Sequence, residues 1–301
     1  LANELGLPST PLESAARCEH KYWSRVEQQK AVPDVVPEFQ AINPFWDEPL
    51  KHLKLDFPFW IKPVKAMSSM LGMRIENKEE FLRGIETIRE HIHHLGDSFD
   101  QMLAHLDLPS EIQEVDGNWC VAEEIISKGD QCTLSGFVYD GQVHTYGIVD
   151  SINYTNTSSF FRYEYPSHLP DKMQNRLENV AQKLMPQLGY DHAPFNIEFF
   201  VRPQDDYVRL VEVNDRVSQS HADLYLDVEG LPNFQATVDL ALGKKPHIPF
   251  RKGDYGCSAK IFLRRFRDGT VVRAPTEEEI EEVQEEVPGA KVLWEAPKGT
   301  L

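Results

Sequence analysis

Cysteine is scarce. Cys18, Cys120, Cys132 and Cys257 are the only four in 301 residues, and no two stand at CxxC spacing. That argues against a zinc site or a disulfide framework and fits a reducing, cytoplasmic setting. Long apolar runs are also missing. Nothing approaches the roughly 20 residues that span a bilayer, and no basic segment leads an apolar stretch, so neither a membrane span nor a signal peptide is read. Positive charge is in deficit. Lys and Arg number 31 against 48 Asp and Glu, a net charge of −17, which argues against duplex nucleic acid and anionic membranes as partners. The Walker A pattern GxxxxGK[ST] is absent, so no P-loop is expected. The chain opens on Leu1 rather than Met and is read as a fragment of a longer protein.

What is present reads as a globular α+β chain of about two domains. Its most informative stretch is 193–216, APFNIEFFVRPQDDYVRLVEVNDR. Two runs rich in β-branched and aromatic residues flank a polar break, which predicts a β-hairpin. Folded about Asp205, it sets Glu198 opposite Glu212 and Asn196 opposite Asn214. Alternate strand residues share a face, so the two carboxylates meet across the ladder, where like charges repel. A divalent cation between them relieves that repulsion, and carboxylates with an amide oxygen suit a hard ion such as Mg²⁺ or Mn²⁺. Two solvated Glu on an exposed face are the plainer alternative.

Four further segments carry chemistry. LPSTPLESAARCEHKYWSRVEQQ predicts one helix from Ser9-Thr10-Pro11 to about Gln29, with Lys21 inside it. FPFWIKPVKAMSSMLGMRI predicts a strand ending in Lys62, a Ser68-Ser69 turn and a second strand, MRI. Backbone N–H groups and one ammonium so placed can hold phosphates. WCVAEEII predicts a strand leading to a turn at Gly129, and Asp140-Gly141 between two β-rich runs is a strong hairpin signal. Elsewhere, Asn77 caps an amphipathic helix to His94, and 170–189 and about 231–242 read as helices. TEEEIEEVQEE, opening with a Thr276/Glu279 capping box, reads as an acidic surface helix. A final strand is predicted at AKVLWEAP. The stretch 153–170 is read as loop. The triplet His91, His93 and His94 spreads over several helix faces and is not read as a metal site.

Taken together and in order, these segments resemble the ATP-grasp superfamily, of the carboxylate–amine (carbon–nitrogen) ligase type. The resemblance covers about residues 4–250. It implies an α+β ATP-grasp fold in which two α+β subdomains grip ATP, lacking the α/β domain that usually precedes it. The organisation expected is an opening helix and strand over 1–54 and a lid over 55–121. A catalytic subdomain over 122–250 and a β-rich segment with the acidic helix over 251–301 complete it. The resemblance implies Lys21, Lys62, Ser68, Ser69, Glu123, Glu124, Ile125, Ile126 and Gln131 as ATP-binding residues. It implies Glu198, Glu212 and Asn214 as Mg²⁺ or Mn²⁺ ligands, and Arg216 with Lys62 as catalytic. The implied reaction activates a small carboxylate as its acyl phosphate and joins it to an amine, in a cytoplasmic enzyme that could be a homodimer. Three departures stand out: the 65–72 loop is glycine-poor, Gln131 stands where relatives often have Glu, and the front domain is not seen. A biotin carboxylase-like enzyme is one alternative, though Ser220 occupies the place of the Glu that precedes the family's His, here His221. A nucleotide-binding module without turnover is the other.

Overall fold

The Asp140-Gly141 dipeptide turns the chain as its composition demands. Both residues take positive φ, 50° and 72°, and Tyr139 pairs with Gln142, the geometry of a tight hairpin whose twist matches its strands. The computed structural model describes residues 2, 4–67, 70–287, 289–296 and 299. In chain order the helices are α1 Leu12–Glu19, α2 Lys21–Ala31, α3 Lys78–His91, α4 His93–Leu103, α5 Ser110–Gln113, α6 Asp171–Gln187, α7 Ala222–Glu229, α8 Phe234–Ala241 and α9 Glu277–Glu286. The strands are β1 Phe39–Ile42, β2 Phe59–Pro63, β3 Met73–Ile75, β4 Cys120–Glu124, β5 Asp130–Tyr139, β6 Gln142–Asn153, β7 Phe160–Tyr165, β8 Ala193–Arg202, β9 Tyr207–Asn214 and β10 Ser258–Ile261. They form a four-stranded sheet, β1-β4-β2-β3, and a six-stranded sheet, β10-β7-β6-β5-β8-β9, with antiparallel pairing throughout.

Each sheet buries one face under helices. Phe59, Ile61 and Ile75 of the smaller sheet pack with Phe81, Ile85 and Ile88 of α3. Leu134, Phe195, Ile197, Phe199 and Leu210 of the larger sheet pack with Leu177, Ala181 and Leu184 of α6. The opposite face of the larger sheet is polar near β5, β8 and β9, where Thr133, Ser135 and Asn196 are buried.

By contact the chain divides into two units, Leu1–Ile261 and Phe262–Leu301. The first holds both sheets and every residue of the candidate site. In the second, α9 carries the expected capping box, with Thr276 and Glu279 bonded reciprocally. None of this unit's described residues is buried. Among the described residues no helix is long and apolar enough to cross a membrane.

The structure corrects several expectations. The helix expected from about 9 to 29 is two, because His20 is extended, φ −82° and ψ 94°. The break is stabilised from both sides. The Lys21 N–H donates to the Val64 carbonyl, and His20 Nδ1 accepts from the Trp23 N–H to cap α2. The helix expected over 231–242 is α8, and α7 before it was not anticipated. The stretch read as loop over 153–170 contains β7. No strand forms among the described residues of 290–296, where AKVLWEAP was expected to be one. Its Leu293 is 75% exposed, so apolar alternation there has no sheet to join.

Candidate active site

The acidic hairpin forms with the expected pairs, Glu198 with Glu212 and Asn196 with Asn214, but for an additional reason. Its turn lies between Arg202 and Tyr207, and near it Phe199 pairs with Leu210. One residue further the register steps, so that Glu198 meets Glu212 and Val211 is the extra residue of a β-bulge. Burial follows the step. Val208 and Leu210 face the α6 core on one side of the bulge and Val213 does so on the other. A regular ladder would have paired Glu198 with Val211 and turned Glu212 into that core. The bulge is what brings both acids to one face.

Lys21 opens α2. With its N–H on Val64 O, and the Val64 N–H on Trp119 O, the helix start is joined to the end of β2 that carries Lys62. Lys21 Nζ lies 2.5 Å from Glu212 Oε1, and Lys62 Nζ lies 2.8 Å from Glu123 Oε2. Lys21, Lys62, Glu123, Glu212 and Arg25 line one cavity. Glu198 receives amide N–H bonds from Asn214, at 3.2 Å, and Gln131, at 3.3 Å, and forms no ion pair among the described residues. Arg216 is exposed. Its Nη2 is 3.5 Å from Asn214 Oδ1, and its carbonyl accepts from Asn196 Nδ2. Glu124, Ile125, Ile126, Gln131, Glu198, Asn214 and Arg216 do not line that cavity. The Glu124 N–H bonds to Glu38 O, and the Ile126 carbonyl accepts from the Tyr207 hydroxyl. Ser68 and Ser69 lie outside the described residues.

Charge is unevenly met across this site. Burial, then the facing Glu212, push the Glu198 carboxyl above its ordinary value. Burial acts the same way on Glu212, but Lys21 and Lys62 outweigh it and hold the carboxyl low. Burial also opposes ionisation of Glu123, yet Arg25 and Lys62 overcome it and hold the group at about 2. Lys62 itself is lowered, by burial first of all; attraction to Glu123 opposes that, and repulsion from Arg25 and Lys21 adds to it. Two cations on one anion reconcile these directions: the carboxylate is doubly served and the lysine half served.

A cation fits beside Glu198. That acid is half-buried opposite another and has only neutral donors. Asn214 turns its Nδ2 to Glu198; rotating the amide, whose two ends are nearly isosteric, would present the oxygen instead. Among the described residues no three His, Cys, Asp or Glu gather into a metal cluster. The available set is therefore two carboxylates and one amide. That suits an ion sharing its shell with phosphate oxygens better than one caged by protein alone.

Several participants were not read from the sequence. Arg25, Gln28 and Ser24 line the cavity. Lys65 bonds Glu19, and Asp215 and Glu212 act on its charge. Ser24, Arg25 and Gln28 left a signal, since they stand three, four and seven residues after Lys21 on the same helix face.

Comparison with known proteins gives the family and the fold. The family described as "ATP-grasp domain" matches residues 55–226. The chain is similar to the carbamoyl phosphate synthase large chain of Neisseria meningitidis, with 27% identity over 194 residues. That stretch covers 63% of this chain and only 16% of that relative's length. Among solved structures, the L-amino acid ligase from Bacillus licheniformis superposes with a TM-score of 0.72 at 18% identity, covering 99% of this chain and 67% of that one. The biotin carboxylase domain dimer of Hydrogenobacter thermophilus 2-oxoglutarate carboxylase, solved with MgADP and bicarbonate, gives 0.61 at 16% identity, covering 86% and 53%. With the match spanning more than half its length, this chain belongs to the ATP-grasp domain family.

Proposed function

We propose that this chain is the ATP-using part of a carbon–nitrogen ligase that activates a small carboxylate as an acyl phosphate and joins it to an amine. The observation that carries the reading is the meeting of Lys21 and Lys62 with Glu212 in one cavity, with Glu198 opposite Glu212 across the ladder. Similarity to an L-amino acid ligase and to a carbamoyl phosphate synthase chain supports it.

In this reading Lys21 and Lys62 leave their carboxylates to hold ATP phosphates, and Gln131 offers an amide to the nucleotide. Glu124, Ile125 and Ile126, where β4 ends, flank the adenine side. Glu198, Glu212 and Asn214 would hold Mg²⁺ or Mn²⁺, which when bound neutralises phosphate charge. Arg216, exposed beside Asn214, grips the substrate carboxylate with its planar fork. The carboxylate oxygen attacks the γ-phosphorus and ADP leaves. The amine nitrogen then attacks the acyl carbon, and phosphate leaves with the amide formed. Phosphoryl transfer asks the protein mainly for positioning and charge. Four cysteines free of disulfides support a cytoplasmic setting, and a homodimer is the assembly we expect.

The test is ADP and phosphate release from ATP and Mg²⁺ with a panel of amino acids as paired carboxylate and amine. Amide product with stoichiometric ADP supports the reading. Nucleotide binding without ADP release under every pairing would replace it with a non-catalytic module.

A further inference from the structure

The cavity contains a buried guanidinium that neither metal binding nor phosphate binding calls for. The Arg25 side chain is 3% exposed and bonds to three places at once. Nε donates to Glu123 Oε1 at 2.7 Å. Nη1 donates to Gln28 Oε1 at 2.6 Å and to Leu210 O at 3.0 Å. Nη2 donates to Val211 O at 2.8 Å.

Two consequences follow from where those bonds end. Glu123 gives one oxygen to Arg25 and the other to Lys62. One carboxylate is thus shared by two cations, and a net positive charge remains in the cavity wall. Without Arg25, Glu123 would belong to Lys62 alone and neutralise it. On the other side, Leu210 and Val211 are the residues at the bulge, just before Glu212. Consecutive carbonyls of a regular strand point to opposite edges. Here one guanidinium takes both, and β9 is an edge strand whose outer side is free for it. Arg25 therefore grips the irregularity that delivers Glu212 to the cavity.

We propose that Arg25 is a positioning residue for the nucleotide. By taking one oxygen of Glu123 it leaves the charge of Lys62 only partly balanced and available to the phosphates, and by holding the Val211 bulge it keeps Glu212 in the cavity. This role rests on the ATP-binding reading above.

Titration calorimetry of the whole chain with ATP and with tripolyphosphate, each with and without Mg²⁺, tests both halves. Arg25→Met weakens both ligands by about tenfold or more. Adding Glu123→Gln to it restores affinity without metal to within about threefold of the starting protein, because nothing then neutralises Lys62. A purely structural loss would not be repaired by removing a second buried partner. Arg25→Lys keeps the charge beside Glu123 but cannot reach both carbonyls. It retains metal-free affinity within about threefold and loses the strengthening by Mg²⁺, and it serves if Arg25→Met does not fold. Unchanged affinity in folded Arg25→Met, or no recovery in the folded double variant, overturns the charge-sharing half. Full Mg²⁺ strengthening in Arg25→Lys overturns the bulge-holding half. Failure of the unmodified chain to bind either ligand sinks the nucleotide reading itself, and the role of Arg25 with it.

Discussion

Lys21 Nζ and Glu212 Oε1, from the start of α2 and the end of β9, lie 2.5 Å apart. Each thus occupies the place that a phosphate oxygen or a metal ion would take beside the other. Glu212→Gln removes the acid's charge while leaving its shape. Turnover of Mg·ATP falls by about a hundredfold or more. Stability changes by less than about 1 kcal/mol, because the ion pair is partly exposed. Phosphate release and a urea titration check the two halves; unchanged turnover would remove Glu212 from the site.

Lys62→Ala takes away an ammonium at the end of β2 but leaves Glu123 paired with Arg25. ATP affinity drops by about ten- to a hundredfold, the range of a hydrogen bond to a charged group. Calorimetry giving equal affinity would count against a phosphate-binding lysine here.

His20 makes acid stability measurable. Its Nδ1 accepts from the Trp23 N–H and its Nε2 lies 2.8 Å from Val115 O, so the folded ring is neutral with its proton on Nε2. Burial, more than anything else, lowers its pKa from 6.5 to about 4. The unfolded chain therefore takes up the proton first, and stability falls as pH drops below 6.5 toward 4, by up to about 3 kcal/mol. His221, lowered by burial to about 3, adds a slope of the same sign. His20→Asn keeps a capping side chain and flattens the Tm-versus-pH curve in this window. An unaltered slope would show that His20 is not the titrating group.

Gly129 turns the chain from β4 into β5 at φ 89°, where a Cβ would sit 2.2 Å from the Val201 carbonyl oxygen. Gly129→Ala costs about 3 kcal/mol or more, through strain and overlap with backbone. The shift in urea midpoint measures it, and a change below about 1 kcal/mol would contradict the close approach.

The legible parts of this fold were those written in local chemistry. Asp140-Gly141, the Asn77 cap, the Thr276/Glu279 box and the spacing of Phe81, Ile85 and Ile88 each carry their structure within a few residues. Of the candidate site, the facing pair Glu198 and Glu212 was legible from strand alternation, whereas Lys21, inside a helix, said little alone and entered only through the family resemblance. What stayed hidden depends on distant partners. The break at His20 exists because Val64 supplies an acceptor, β7 because β6 and β10 flank it, and the place of Arg25 because Glu123, Leu210 and Val211 converge on it. The pairing of Glu198 with Glu212 was read correctly from a hairpin centred on Asp205. That centre is half a residue off, and the unread bulge supplies the difference.

Side of a sheet is a matter of odd and even, and Val211 is where β9 changes parity. Deleting that one residue would leave every acid, amide and lysine of the site in the sequence. The ladder would then run regularly, with Leu210 facing in, Glu212 facing out opposite Glu198 and Val213 facing in. For this hairpin the extra residue is therefore dispensable to the meeting of the two acids, and what its loss would take away is the carbonyl that accepts from Arg25 Nη2.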